Sequence, residues 1–447
     1  MSTRVILVRH GQSTYNLEKR IQGRSDASVL TPHGRTDAER VAAALRGLSF
    51  DAIYCSPLRR ARETAEIICS GLESAPPLQP TERLLEVDLP LWENLTKHDV
   101  LERYPDEYRC WHEQPHEFVM RAGDREFAPV LELFAQARQF WEELLDRHAG
   151  GTVLIIAHNG INRSAIATAI GMDPARYQTL QQSNCGINVL NFTGKLGETV
   201  QIESLNQTAH LGIPLPPPRR ETGIRMLLVR HGETEWNRAS RFQGQIDVPL
   251  NDTGREQGRR AADLLKTVPL DFAVTSPMLR PKETAELILS QQTQPVALDL
   301  KAPLVEIAHG EWEGKLEPEI KVAYPDLLRM WKETPAVVQM PGGENLAQVW
   351  ERATACWQDV VRQQAMQATG NGVRTGIVVA HDAINKSILC ALLGLEPKDF
   401  WSVKQGNGAV SVIDYPDGLE GMPVLQSINI TTHLSSGVLD KTAAGAL

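Results

Sequence analysis

Two histidines with the same neighbours are the residues of this chain best suited to chemistry. Arg9-His10-Gly11 follows the apolar run 5–8, and Arg230-His231-Gly232 follows the apolar run 226–229. An imidazole can carry a phosphoryl group covalently, which splits hydrolysis into two steps. A neighbouring guanidinium offers a planar fork of donors for phosphate oxygens and disfavours protonation of the imidazole. These residue types favour phosphoryl-transfer chemistry at an unprotonated histidine.

The surroundings of the two histidines repeat along the chain. His10 and His231 are 221 positions apart, and His158, in IIAHNGIN, is answered 223 positions later by His381, in VVAHDAIN. The segment SPLRRARETAEII, which begins at residue 56, is answered by SPMLRPKETAELI, which begins at residue 276. A near-constant offset over several motifs indicates two copies of one domain rather than chance.

Composition argues against several classes of protein. The 447 residues carry a net charge of −9, so we predict no basic face of the kind that nucleic acids require. No run approaches the roughly 18 apolar residues of a membrane span, and the N-terminus does not resemble a signal peptide. The six cysteines form no C-x-x-C pair, which predicts reduced thiols in a cytoplasmic protein. The expected partner is a small phosphorylated metabolite, with no role for nucleic acid or membrane.

A proline-rich segment separates the two copies. Residues 212–223 read GIPLPPPRRETG, and their four prolines favour an extended, fairly stiff spacer. We therefore predict a first domain over 1–212, a linker over 213–223 and a second domain over 224–433. The small and polar segment 434–447 is predicted to be a flexible tail.

Within each copy, short apolar runs alternate with longer helical patterns. In the first copy the predicted strands are 5–8, 52–55 and 152–157, and the predicted helices are 31–45, 61–68 and 130–145. Thr31 and Pro32 have the residue types of an N-cap and a first helical turn. This alternation predicts two tandem three-layer α/β/α domains, each with a mostly parallel sheet flanked by helices. Both histidine motifs then lie at the carboxyl ends of strands, where such sheets bind ligands.

The order of these motifs resembles that of the histidine phosphatase superfamily, which has the phosphoglycerate mutase-like fold. The resemblance covers both copies and nearly the whole chain. It implies a nucleophilic histidine, a phosphate pocket made by two arginines, a second histidine and an asparagine at the rim, and a glutamate that donates a proton. In the first copy these residues are, in that order, His10, then Arg9, Arg60, His158 and Asn16, and finally Glu86. In the second copy they are His231, then Arg230, Arg280, His381 and Asn237, and finally Glu306.

The chemistry calls for the same residue types. A phosphomonoester carries close to two negative charges at pH 7, because its second pKa is about 6. A sugar alkoxide is a poor leaving group, so a carboxylic acid must protonate it, and the resulting carboxylate can activate water. This scheme requires no cofactor, and we expect no metal. Within the charged run 59–63, Arg60 is expected to point inward, with Arg62 as the alternative.

Three departures from the family pattern concern the pockets. The family's G-x-W-E-G segment is kept at 310–314, but the first copy has Pro90-Leu91-Trp92-Glu93-Asn94. Asp382 follows His381, where its carboxylate would repel phosphate unless it points away. Pro281 replaces the alanine after Arg280. We therefore expect the first copy to be the main catalytic site and the second to be weaker, or a structural or regulatory domain.

The substrate class follows from the resemblance alone. Residues 20–34 and 179–192, together with the tandem layout, resemble the 2-carboxy-D-arabinitol-1-phosphatases. The spacing between glutamate and second histidine is short in both copies, as in the family's phosphatases rather than its mutases. The expected activity is metal-independent hydrolysis of small phosphorylated sugars or sugar acids through a phosphohistidine. A phosphoglycerate mutase is the enzymatic alternative, and the sequence assigns no oligomeric state.

Overall fold

The computed structural model describes residues 2–368, 372–435 and 437–443, which form two compact units, 1–215 and 216–447. The division falls inside the predicted linker. Residues 436 and 444–447 of the predicted tail lie outside the described part. Asp440, within that tail, lies 3.2 Å from Lys404 as an ion pair. The boundaries 1–212 and 224–433 and the flexibility of the tail stay predictions.

The first unit is built on a mixed six-stranded sheet in the order β8-β7-β1-β6-β2-β3, beside a two-stranded ribbon, β4-β5. The strands are β1 (Thr3–Arg9), β2 (Ala52–Cys55), β3 (Leu78–Pro80), β4 (Met120–Ala122), β5 (Arg125–Phe127), β6 (Thr152–Ala157), β7 (Ile187–Phe192) and β8 (Val200–Gln207). The pairings of β1 with β6, β6 with β2 and β2 with β3 are parallel, whereas β7 pairs antiparallel with β1 and β8. The predicted sheet is confirmed, with an antiparallel edge.

Helices flank this sheet in two packed pairs, α2 with α3 and α6 with α7. The helices are α1 (Thr14–Leu17), α2 (Pro32–Ala44), α3 (Arg59–Gly71), α4 (Lys97–Arg103), α5 (Pro105–Glu113), α6 (Pro129–Arg147) and α7 (Asn159–Ala169), with 3-10 turns at Glu82–Leu84, Pro174–Thr179 and Ala209–Leu211. The Thr31 side chain accepts from the amide of Gly34, so the predicted N-cap is confirmed. All four residues 5–8 of β1 are buried although successive side chains face opposite sides, so both faces of the sheet are covered.

The second unit repeats this plan in the order β14-β13-β9-β12-β10-β11. Its strands are β9 (Gly223–Arg230), β10 (Phe272–Thr275), β11 (Leu298–Leu300), β12 (Val373–Ala380), β13 (Val410–Tyr415) and β14 (Val424–Ile430). Its helices are α8 (Glu235–Arg238), α9 (Asp252–Leu265), α10 (Leu279–Leu289), α11 (Glu317–Ala323), α12 (Pro325–Glu333), α13 (Leu346–Gln367) and α14 (Asp382–Leu392), with 3-10 turns at Ala302–Leu304, Gly310–Trp312, Pro335–Val337 and Pro397–Ser402.

The topology fixes where the histidines lie. His10 and His158 directly follow the adjacent parallel strands β1 and β6, and His231 and His381 follow β9 and β12. The carboxyl ends of parallel neighbours meet at one edge of a sheet, which brings each pair of loops together. Within the described part of the chain, no helix is both long enough and apolar enough to cross a membrane.

Candidate active sites

His10 is held as a neutral imidazole with its Nε2 lone pair available. Its Nδ1 lies 2.7 Å from the carbonyl oxygen of Gly11, and because a carbonyl only accepts, the ring proton is on Nδ1. Burial lowers the pKa of His10 well below its usual range, and the charges of Arg60 and Arg9 lower it further. The ring is therefore unprotonated at neutral pH, as a nucleophile must be.

His158 faces His10 across the pocket. The two ring centroids are 5.1 Å apart in an edge-on arrangement, and His158 Nε2 lies 2.7 Å from the hydroxyl of Ser56. Its Nδ1 is buried and has no protein partner in the described part of the chain. Burial, followed by the charge of Arg60, lowers the pKa of His158 well below its usual value. A buried ring nitrogen that lacks a partner is suited to contact a ligand.

Two guanidiniums, predicted to bind phosphate, lie beside these rings. Arg60 is fully buried, and its Nη atoms donate to the carbonyls of Ser25 and Gly23 at 2.8 and 2.9 Å. Arg9 donates to the carbonyl of Gln182 at 2.8 Å. The Nε atoms of both arginines are buried without protein partners in the described chain. Backbone carbonyls orient these cations without neutralising them, so the charge of an incoming anion is still needed.

The alternative arginine points elsewhere. Arg62 lies on the exposed face of α3 and pairs with Glu66 at 3.0 Å. The hydroxyl of Thr64, one turn after Arg60, accepts from the amide of Gly11 at 3.1 Å and donates to the carbonyl of Arg60 at 2.7 Å. This threonine ties the arginine helix to the histidine loop, and its counterpart in the second unit, Thr284, makes the same contacts.

Glu86 is positioned by the N-terminus of α7. Its carboxylate accepts hydrogen bonds from the amides of Val87, Gly160 and Ile161 at 2.9 to 3.0 Å. The first amides of a helix have no partners within the helix and favour a negative charge. The carboxylate therefore lies directly beside the loop that carries His158.

Asn16 has a structural task that its motif did not predict. Its Oδ1 accepts from the amide and hydroxyl of Ser13 in a capping box, and from Nδ2 of Asn184 at 3.2 Å. Asn184 also donates to the carbonyl of His10 at 2.9 Å. This chain of contacts fixes the histidine loop at the carbonyl of His10, whereas Thr64 holds it at the amide of Gly11. Asn237 and Asn407 repeat it in the second unit.

The second unit assembles the same set. His231 Nδ1 lies 2.7 Å from the carbonyl of Gly232, and its ring centroid is 5.2 Å from that of His381. His381 Nε2 lies 2.9 Å from the hydroxyl of Ser276, the counterpart of Ser56. Arg280 is fully buried, with its Nε 3.3 Å from His231 Nε2. Burial and these arginines lower the pKa values of both histidines.

Asp382 does not point away from the second pocket. Its carboxylate is buried, 3.4 Å from Nη1 of Arg230 and 2.7 Å from Nζ of Lys386. The two cations compensate the charge that the sequence suggested would be repulsive. One of the two arginines predicted to bind phosphate is therefore already ion-paired, which weakens its attraction for an anion. Burial, and then the charge of Asp382, raise the pKa of Glu306 to about 7.

The surroundings of Glu86 and Glu306 differ by one methyl group at the start of the neighbouring helix. A Cβ on Gly160 would stand only 2.4 Å from Oε1 of Glu86, and the second unit has Ala383 at this place. Glu306 accepts instead from the amide of Asp382 at 3.2 Å and from Ile307 at 2.9 Å. The alanine excludes the carboxylate from the position that Glu86 takes, so Glu306 binds one residue earlier on the helix.

The altered loop keeps the backbone turn of the glycine form at its last residue but not at its first. Asn94 has φ 66° and Gly314 has φ 79°, so both take the left-handed conformation, which asparagine tolerates better than most residues. Pro90 replaces Gly310, whose φ is 55°. A Cβ on Gly310 would stand 2.1 Å from the carbonyl of Pro341, so in the second unit this glycine is required by close packing. Loss of the glycines in the first unit therefore reflects a different neighbouring segment.

The structure brings the twelve predicted residues together in two clusters of six, with Asn16 and Asn237 joined to the histidine loops through Asn184 and Asn407. The sequence analysis did not predict Ser56, Thr64 and Asn184, which hydrogen-bond to the site residues or their loops. Their hydrogen bonds join residues that are far apart in sequence. Only their recurrence at the same offset could have marked them. Each site offers two neutral imidazoles, two guanidiniums and a glutamate, and the second adds Asp382. The shared set suits transfer of a phosphoryl group to nitrogen.

Comparison with known proteins covers both units. The sequence profile of the histidine phosphatase superfamily (branch 1) matches residues 5–206 and again 226–431. A 2-carboxy-D-arabinitol-1-phosphatase from Triticum aestivum is 35% identical over 440 residues, 96% of this chain and 86% of that protein. A probable 2-carboxy-D-arabinitol-1-phosphatase from Arabidopsis thaliana is 31% identical, over 96% of this chain and 88% of that protein. Phosphoserine phosphatase 1 from Hydrogenobacter thermophilus is 35% identical over 211 residues, 47% of this chain and 94% of that protein.

Proposed function

The chain belongs to the histidine phosphatase superfamily and is a phosphatase, and from this premise we propose that it hydrolyses small phosphorylated sugars or sugar acids through a phosphohistidine. The observation that carries the mechanism is the tautomer of His10, whose Nδ1 proton is committed to Gly11 so that Nε2 can attack. A 2-carboxy-D-arabinitol 1-phosphate-like ester is the substrate suggested by the full-length relatives.

In the first step, Nε2 of His10 attacks phosphorus and the bond from phosphorus to the ester oxygen breaks. Arg9, Arg60 and His158 bind the phosphoryl oxygens. The leaving oxygen takes a proton from the carboxyl group of Glu86, so it departs as an alcohol. The enzyme then holds a phosphoryl group on His10 and a carboxylate at Glu86.

In the second step, the Glu86 carboxylate accepts a proton from water as the water oxygen attacks phosphorus. The bond between phosphorus and nitrogen breaks, and its electron pair returns to Nε2. Inorganic phosphate leaves and Glu86 is again protonated. No metal enters either step, so we expect turnover to survive exhaustive chelation, measured as phosphate release with and without EDTA. Loss of activity in EDTA that magnesium restores would contradict this chemistry.

A weaker second pocket is the alternative that a specific observation favours. The carboxylate of Asp382 forms an ion pair with Nη1 of Arg230 at 3.4 Å, whereas the first unit has the neutral Asn159 at the equivalent position. We therefore propose that the first unit carries most of the turnover and that the second is slower or regulatory. A phosphoglycerate mutase has no comparable support, and conversion of 3-phosphoglycerate to its isomer rather than to glycerate would favour it.

The test is a phosphate-release screen over sugar phosphates and sugar-acid phosphates with the intact chain, His10→Ala and His231→Ala. His10→Ala should abolish turnover of the best substrate, whereas His231→Ala should leave most of it. The reverse order would move the main site to the second unit.

All six cysteines are free and four are buried, which supports our proposal of a cytoplasmic location.

A further inference from the structure

Arg163 of the first unit is a buried cation whose hydrogen-bond partners are neutral. It lies on α7, five residues after His158, and is 6% exposed. One Nη donates to the amide oxygen of Gln178 at 3.0 Å, and the guanidinium also hydrogen-bonds to the hydroxyl of Tyr177. Its Nε has no protein partner in the described part of the chain. Arg163 makes no ion pair in the described chain, and the charge of Glu86 acts on it only from a greater distance. A buried guanidinium without a paired carboxylate is unfavourable unless an anion binds to it.

This cation adjoins the proton donor. The Tyr177 hydroxyl and Oε1 of Glu86 lie 2.6 and 2.4 Å from the point where a Cβ on Gly160 would stand. Arg163 therefore borders the side of the pocket where the leaving group takes its proton. In the proposed mechanism Arg9 and Arg60 bind the phosphoryl group. Arg163 is therefore available to bind a second anionic group on the same substrate.

In the second unit, the cation at the position of Arg163 is paired with a carboxylate of the same unit. Lys386, the counterpart of Arg163, lies 2.7 Å from the carboxylate of Asp382, and both side chains are buried. Phe400 replaces Tyr177, and the Lys386 ammonium lies 4.6 Å from the ring of Trp401. The second unit thus holds an internal carboxylate and aromatic rings where the first has a cation without an ion pair and a hydroxyl.

We propose that the first pocket selects phosphate monoesters whose leaving group carries a carboxylate, bound by Arg163 and Tyr177, and that the second pocket selects leaving groups without one. The inference rests on the proposed function and assigns the substrate class of each site. In the first pocket a carboxylate on the substrate supplies the missing counterion. In the second, Lys386 is already paired with Asp382, so it offers a substrate carboxylate no comparable unpaired charge.

Competition between two matched esters tests the proposal. 3-Phosphoglycerate and glycerol 3-phosphate share a phosphorylated primary carbon and a neighbouring hydroxyl, and differ in a carboxylate against a hydroxymethyl group. Each is measured as a competitor of para-nitrophenyl phosphate hydrolysis, so a constant is obtained whether or not the ester turns over. The His231→Ala variant reports the first pocket, and His10→Ala reports the second.

In the first pocket, 3-phosphoglycerate should compete about 10- to 100-fold better than glycerol 3-phosphate, the range for one or two charge-assisted hydrogen bonds. Arg163→Gln should remove this preference, and Arg163→Lys should keep most of it. Because both constants come from one protein sample, partial misfolding of a variant cancels in their ratio.

Exchange of the residue after the second histidine gives the matched control. Asn159→Asp should abolish the preference in the first pocket by supplying an internal carboxylate. Asp382→Asn should create one in the second pocket by releasing Lys386. Equal constants in the first pocket, or a preference that survives Arg163→Gln, would overturn the inference while leaving the phosphatase intact. Failure to hydrolyse any ester, para-nitrophenyl phosphate included, would instead overturn the proposed function.

Discussion

Single atoms decide whether either pocket can react. The Nδ1 protons of His10 and His231 are each held by a carbonyl at 2.7 Å, so Nε2 is the unprotonated nitrogen, and the proposed nucleophile, in both units. The arginines beside them lower the pKa of the imidazoles. In the proposed mechanism the same charges would also bind the phosphoryl group, so one set of charges would serve both purposes.

Removal of Arg60 should damage the first pocket severely. Arg60→Ala removes a donor to the developing phosphoryl charge, which costs on the order of 10²–10³ in rate. The measurement is kcat in a His231→Ala background, where only the first pocket turns over. Arg62→Ala is the matched control, because its side chain is on the exposed face of the same helix. Similar losses in the two variants would mean that the helix rather than the guanidinium matters.

The acid role of Glu86 predicts a dependence on the leaving group. Glu86→Gln cannot donate a proton, so it should slow alkyl phosphates far more than para-nitrophenyl phosphate, whose aryl oxide leaves without protonation. The ratio of the two kcat/KM losses is the readout. Equal losses would show that Glu86 acts in some other way.

At the scale of elements, the N-termini of α7 and α14 make the two pockets different. Glu86 accepts from Gly160 and Ile161 in α7, whereas Glu306 accepts from Asp382 at the start of α14. The difference follows from one methyl group, since a Cβ at Gly160 would meet Oε1 of Glu86. The helix terminus therefore sets the environment of the catalytic acid.

Exchange of this methyl group should move the acid. Gly160→Ala should slow alkyl phosphates in the first pocket more than para-nitrophenyl phosphate, because the added methyl group displaces Glu86 from its amide partners. Ala383→Gly should let Glu306 reach the helix amides, which stabilise the carboxylate and lower the raised pKa that is now about 7. The ratio of the two kcat/KM losses measures the first change, and the profile of kcat against pH in the His10→Ala background measures the second. An unchanged ratio together with an unchanged profile would contradict this account of how the acid is positioned.

Sequence patterns predicted the elements well but not their contacts. Residues 52–55 and 152–157 are the strands β2 and β6 as predicted, because short apolar runs next to turn-forming residues favour buried strands over helices. The ion pair of Asp382 with Arg230 was not predicted, since it joins residues 152 positions apart. The charge of Asp382 was visible in the sequence, but its compensation depends on side-chain distances in the folded unit.

On the scale of the whole molecule, buried neutral histidines make both units sensitive to acid. His10, His158, His231 and His381 have folded-state pKa values well below 6.5, and burial lowers that of His309 to about 3. Below about pH 6.5 the unfolded chain binds more protons than the folded one, so stability falls as pH falls. Glu306 acts in the opposite sense between pH 4.5 and 7, but it is one group against several.

His309 allows this effect to be isolated. It is fully buried, neither ring nitrogen has a partner in the described part of the chain, and the first unit has Leu89 at the same place. His309→Leu should raise the melting temperature at pH 7.5 and reduce its fall towards pH 5.5, because one buried proton-binding group is removed. The slope of the free energy of unfolding against pH should change by up to about 1.4 kcal/mol per pH unit. A variant with the pH dependence of the parent would contradict the assignment.

The central claim, a phosphoryl group carried on histidine, is tested most directly by trapping it. The His231→Ala variant is mixed with radiolabelled para-nitrophenyl phosphate, quenched in alkali during turnover, and digested for peptide mapping. The account predicts label on the peptide that contains His10, and none when His10 is also replaced by alanine. Label on a serine or aspartate, or rapid turnover with no labelled protein, would contradict the phosphohistidine mechanism.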